Sequence, residues 1–253
     1  MINVKVVVCL LLSLCAVAWS TPVVRPLPPT KPTSNDTAAI SPFRNPVFDM
    51  KLTPEQMRSG VIDERYRWRN GFIVHPDRGF NQNEYSVIND ALYELSQHLC
   101  IQVLMWPQDS NPTGDYVEIM RGGSGSGCWA WVGRLGGRQD LNLQFDGCIY
   151  KHIVQHECIH ALGYYHEQSR PDRDDHVNIL WNNVIPDTSH NFDKMDDTTT
   201  FGVPYDTRSI MHYDSYAFSS NGQPTILAKD GSTVGGNSIT GNDIAKLQRM
   251  YNC

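Results

Sequence analysis

His156-Glu157-Cys158-Ile159-His160, followed by Gly163 and His166, constrains this chain more than any other stretch. Histidines at i and i+4 of a helix project from one face about one turn apart, so their imidazoles can share one metal. Gly163 can take the left-handed conformation that ends a helix, and that turn brings His166 back as a third ligand. Three protein ligands leave a position open for water, the arrangement of a catalytic zinc; structural sites usually close with four. Glu157 is then placed to accept the water's proton as general base. His75, His98, His152, His176, His190 and His212 have no comparable spacing and are expected to be structural or surface residues. A ligand set of His152, His156 and His160 would leave Glu157 and Gly163 without roles. Cys158 lies about 200° around the helix from His156, so it is expected to face the core as a small hydrophobe.

The residues around this motif predict an α+β fold. Phe72, Ile73 and Val74 form a strand before Pro76, and between Asn83 and Leu99 the apolar residues Val87, Ile88, Ala91, Leu92, Leu95 and Leu99 recur at helical spacing. Four strand-like runs follow: Ile101 to Trp106, Tyr116 to Met120, Cys128 to Val132 and Leu141 to Phe145. In the last, Leu141, Leu143 and Phe145 alternate with Asn142 and Gln144, the period of a half-buried strand. The metal motif sits in a second helix from about Gly147 to Leu162, and a third runs from Asp243 to Met250 with Thr240 as N-cap. Between Asn178 and Ser238 turn residues predominate and no regular element is assigned.

Lys5 precedes an apolar run from Val6 to Val17 that is too short for a comfortable bilayer span and ends at small residues, which reads as a signal peptide of residues 1–18, with 20 the alternative end. Secretion makes disulfides permissible. Cys100, Cys128, Cys148, Cys158 and Cys253 remain in the mature chain, an odd number whose pairing the spacing does not decide. Residues 21–46 are rich in proline and small polar residues and are expected to be extended and removable. A formal net charge of -6 provides no general basic field, so neither nucleic acid nor a membrane surface is an expected partner.

Beyond the metal motif the chain reads His166-Glu167-Gln168-Ser169-Arg170-Pro171-Asp172-Arg173-Asp174, and further on Ser209-Ile210-Met211-His212-Tyr213. With these runs in this order, it resembles the astacin family of metzincin zinc metalloendopeptidases from about Asp49 to Cys253. The resemblance implies a sheet-containing N-terminal subdomain, a central zinc-binding helix, an irregular C-terminal subdomain and one Zn2+ per chain. It implies that Met211, in the methionine turn, forms an apolar floor beneath the zinc. Tyr213 would be a further zinc ligand that swings away to hydrogen-bond the tetrahedral intermediate. It also implies disulfides Cys100 to Cys253 and Cys128 to Cys148, leaving Cys158 free.

Family precursors are commonly blocked by an aspartate in a Phe-x-Gly-Asp context. Asp49 aligns with it here, although Phe and Gly are missing from their positions in Pro46-Val47-Phe48-Asp49. Tyr66 and Trp68 resemble early mature residues. The resemblance therefore implies a propeptide of residues 19–58, cleavage after Arg58 by a trypsin-like protease, and a catalytic domain of residues 59–253. The new ammonium at Ser59 would pair with Glu167. The implied function is a secreted zinc-dependent endopeptidase of protein and peptide substrates, made as a zymogen. Intact ligands and Glu157 disfavour a catalytically silent binding protein, and the length of the match disfavours a hydrolase of non-peptide substrates.

Overall fold

Parallel strand pairing organises the N-terminal half. The computed structural model describes residues 49–53, 56, 63–195 and 198–253; the expected signal peptide, nearly all of the propeptide and the Arg58-Ser59 bond lie outside them. Six strands form one sheet: β1 Met50–Lys51, β2 Phe72–Pro76, β3 Val103–Met105, β4 Tyr116–Gly122, β5 Cys128–Trp131 and β6 Arg138–Gln144. Their spatial order is β1-β5-β6-β4-β2-β3. Only the β5–β6 pair is antiparallel; β1 joins β5 in parallel, with Met50 beside Ala130.

Two helices, α1 Gln82–Ser96 and α2 Lys151–Leu162, complete the core with this sheet. Asn81 and Glu84 form a reciprocal capping box that starts α1. Ile88, Ala91, Leu92 and Leu95 then lie on its buried face, and the helix ends at Ser96. Leu99, expected inside it, reaches the core from the following turn. α2 begins at Lys151, four residues later than the pattern suggests. Its predecessor Cys148 is tied to Cys128 of β5 by a disulfide and donates its N–H to Gln144 in a turn. Every residue of α2 from Ile153 to Leu162 is buried, as expected for a helix surrounded by protein on all sides.

The alternation expected in β6 does not hold. The strand starts at Arg138, and Asn142 is as buried as Leu141 and Leu143 because its amide donates to the Gly127 carbonyl at 2.6 Å. Phe145, placed inside by the pattern, is exposed beneath the Arg121 guanidinium. Alternation of burial breaks at Asn142 because a polar side chain that finds a hydrogen-bond partner can be enclosed.

The C-terminal half is built mainly of turns and single 3-10 turns. It also contains a small antiparallel pair, β7 Val177–Ile179 and β8 Ile226–Ala228, which three-residue strands far apart in the chain did not disclose. Phe192, Tyr213, Phe218 and Ile226 form its own apolar cluster. Helix α3, Gly241–Tyr251, starts with a capping box between Thr240 and Asp243, and the Cys100–Cys253 disulfide ties the chain beyond it to the segment after α1. The architecture is α+β, with a sheet subdomain, a central helix and an irregular C-terminal region.

Asp243 joins α3 to the turn carrying Met211. Buried, it accepts from Ser209 Oγ at 2.5 Å and from the Ile210 and Thr240 amides at 3.1 and 3.0 Å. Asp243→Ala leaves these donors unpaired in the interior and is expected to cost about 3 kcal/mol. A urea unfolding midpoint unchanged from wild type would refute that role for Asp243.

Candidate metal centre

The end of α2 sets the site. Gly163 caps the helix with φ 119° and ψ 19°, a conformation that side chains rarely adopt. Its N–H bonds back to His160 and that of Tyr164 to Ile159, closing the last turn. The chain then reverses and returns His166 to the face carrying His156 and His160. The Nε2 atoms of His156 and His166 lie 3.0 and 3.2 Å from that of His160. Asp49, preceding β1, adds a carboxylate oxygen 3.0 Å from His166 Nε2 and 3.4 Å from His156 Nε2. Asp49, His156, His160 and His166 form one buried group able to hold a metal ion.

Hydrogen bonding on the far side of two rings decides what they offer. His156 Nδ1 donates to the Ile210 carbonyl at 2.7 Å and His160 Nδ1 to the Tyr164 carbonyl at 2.6 Å. Each ring therefore carries its proton on Nδ1 and turns the Nε2 lone pair inward. Burial first, then the neighbouring histidines, pushes His160 well below the usual imidazole range, keeping it in the neutral, ligating form. Two lone pairs 3.0 Å apart repel unless a cation lies between them. Tetrahedral ligands held at 2.0–2.1 Å from zinc stand about 3.3 Å from one another, close to the separations here. The donor set fits a zinc ion.

Glu157 is fully buried, and neither of its oxygens has a hydrogen-bond partner among the described residues. Burial, reinforced by the charge of Asp49, pushes its carboxyl well above the usual carboxylate range. Cys158, one residue on, is buried in the core cluster and unbonded to other cysteines; burial first and Glu157 second raise its thiol. Tyr213 is buried with its ring 4.4 Å from that of His166. Burial, with the charges of Asp49 and Glu157, raises its phenol and keeps the proton on it. Met211 lies in the main core beside this group of residues, and its carbonyl accepts from the Glu167 amide at 2.8 Å.

The remaining histidines stay outside the cluster. His75 bonds Glu118 at 2.8 Å, His212 is held between the Tyr205 hydroxyl and the Tyr213 carbonyl, and His152 stacks on Tyr150. Glu167, expected to receive the Ser59 ammonium, is engaged by other cations. Its carboxylate pairs with Lys246 of α3 and accepts from Arg170 at 3.0 Å and from the Asp206 amide at 2.9 Å. Ser59 itself lies outside the described residues. Nothing in the sequence near Lys246 marked it as the partner of Glu167, since the contact exists only once α3 docks.

The sequence profile of the astacin peptidase family matches residues 60–252. Human meprin A subunit beta is 36% identical over 212 residues, covering 81% of this chain and 29% of its own. Zinc metalloproteinase nas-15 of Caenorhabditis elegans is 41% identical over 191 residues, covering 74% of this chain and 32% of its own. This chain thus spans about a third of the length of those two relatives. Among solved structures, high choriolytic enzyme 1, a hatching enzyme zinc-protease of the medaka fish Oryzias latipes, superposes with a TM-score of 0.68 at 32% identity. That match covers 76% of this chain and 96% of the other.

Gly163→Ala tests the turn that delivers His166. A Cβ at φ 119° is expected to cost about 1–3 kcal/mol and to weaken metal retention by displacing the third imidazole. Chelator competition on the purified variant, read by metal content, checks this. Retention equal to wild type would separate the turn from the metal centre.

Proposed function

We propose, from the premise that the chain belongs to the astacin family of zinc metalloendopeptidases, that it is a secreted endopeptidase of protein and peptide substrates, held latent by its own N-terminal segment. One observation carries this reading: inward lone pairs of His156 and His160 converge with His166 and the Asp49 carboxylate, beside the unpartnered buried carboxylate of Glu157.

His156, His160 and His166 would hold one Zn2+, which would supply the Lewis acidity that activates water at neutral pH and polarises the substrate carbonyl. Glu157 takes a proton from the attacking water and passes it to the departing amide nitrogen. Its buried carboxylate, with neither oxygen bonded among the described residues, has both oxygens available for that transfer. Tyr213, with its proton retained, donates a hydrogen bond to the substrate oxygen as negative charge develops there. Met211 supports the histidines from below with apolar surface.

Asp49 occupies the fourth position of the group, so water and substrate are excluded while β1 is paired with β5. Residues 1–18 serve as signal peptide and 19–58 as propeptide, and a trypsin-like protease cuts after Arg58 to start the mature domain at Ser59. In this reading Glu167 meets the Ser59 ammonium only by sharing a carboxylate already held by Lys246 and Arg170. Extracellular export agrees with the two disulfides, and no helix among the described residues is long and apolar enough to cross a membrane. The net charge of -6 disfavours nucleic acid as a partner.

Two variants test the reading. Glu157→Gln is expected to bind one zinc per chain and to lose about 10²–10⁴-fold in peptidase activity after trypsin treatment. Equal zinc content with near-normal turnover would sink the general-base role. Asp49→Ala is expected to admit a hydroxamate inhibitor and to show activity before any cleavage, whereas the uncut wild type does neither. An uncut variant as closed as wild type would mean that the segment blocks the site by bulk alone, and Arg58→Gln would then show whether release at that bond matters.

A further inference from the structure

β1 makes a contact that covering the metal cluster does not require. The Lys51 ammonium lies 3.1 Å above the ring centre of Trp129 and 5.8 Å from that of Trp131. These tryptophans are two residues apart on β5 and so share a face. The backbone register is fixed by the Ala130 N–H donating to the Asp49 carbonyl at 2.8 Å and the Val132 N–H donating to that of Lys51 at 3.0 Å. Asp49 and Lys51 are likewise two apart, so the segment that sets a carboxylate on the cluster also sets a cation on the indoles. Burial lowers the Lys51 ammonium below its ordinary value, and the charge of Asp140 of β6, itself paired with Arg138 at 3.0 Å, offsets part of that.

We infer that the Trp129–Trp131 face of β5 is a substrate subsite selective for a lysine or arginine side chain, occupied in the latent chain by Lys51. The inference rests on the proposed endopeptidase reading and deepens it by naming a substrate class. A peptide that adds to β5 as an extended strand carries the same two-residue period as β1. When one of its residues lies on the cluster, the residue two away lies over the tryptophans. The indole face carries the negative lobe of its quadrupole outward, so a cation gains there what an aliphatic chain of equal length does not.

The test compares peptides in which single lysines are replaced by norleucine, a neutral side chain of matching length, using trypsin-treated full-length protein. Lysine is expected to be favoured about three- to thirtyfold in kcat/KM at one position within three residues of the cleaved bond. Trp129→Phe should reduce that ratio and Trp129→Leu should bring it close to one. A second readout needs no turnover: titrating Glu157→Gln with the two peptides, followed by tryptophan fluorescence, should show the same order of affinity, lost in the Trp129→Leu double variant. Cleavage without preference, or a preference that survives Trp129→Leu, overturns the subsite. If no peptide is cleaved but the titration still favours lysine, the endopeptidase reading fails and the cation site stands.

Discussion

The hydrogen bond from His156 Nδ1 to the Ile210 carbonyl is the constraint on which the rest of the site depends. It turns the metal-facing nitrogen of α2 inward and in doing so locks the central helix to the turn that carries Met211 and Tyr213. A ligand ring without such a partner could rotate or take the other tautomer. The Ile210 backbone is in turn held from its other side, because its amide donates to Asp243 at the start of α3. One imidazole thus couples the sheet subdomain to the C-terminal half through two hydrogen bonds and a capped helix.

Charge burial follows the same economy of placement. Glu167 and Lys246 are both almost fully enclosed, and each would be costly alone; together with Arg170 and the Asp206 amide they satisfy one another. Glu157 is the exception, buried with neither oxygen bonded among the described residues. An unpaired interior carboxylate is a destabilising feature that folding alone gives no reason to keep. Its position next to His156, which belongs to the group able to hold a metal ion, supplies a chemical reason in the proposed reading.

Strand geometry puts two side chains in place at once. β1 is only two residues long, yet its parallel pairing with β5 places Asp49 on the cluster and Lys51 on the indoles in one step. The missing Phe and Gly before Asp49 do not prevent the carboxylate from reaching the histidines, because backbone bonds to Ala130 and Val132 position it. Sheet edges accept any extended chain of suitable register, so in the proposed reading the surface that receives β1 is also the one offered to other peptides.

The sequence by itself determined what is encoded in near neighbours. The i, i+4 histidines, the glycine that ends their helix and the returning His166 are local, and helical period with one left-handed residue brings them together. The cap of α3 and the existence of the main strands are legible for the same reason. The alternation read into β6 failed because Asn142 found a buried partner across the sheet, and the β7–β8 pair went unseen because three residues carry too little pattern. Only the tertiary structure decided the carbonyl that orients His156, the lysine that meets Glu167 and the tryptophans beneath Lys51. Those partners lie far apart in the chain, and no spacing rule links residues whose meeting depends on how α3 and the edge strands dock.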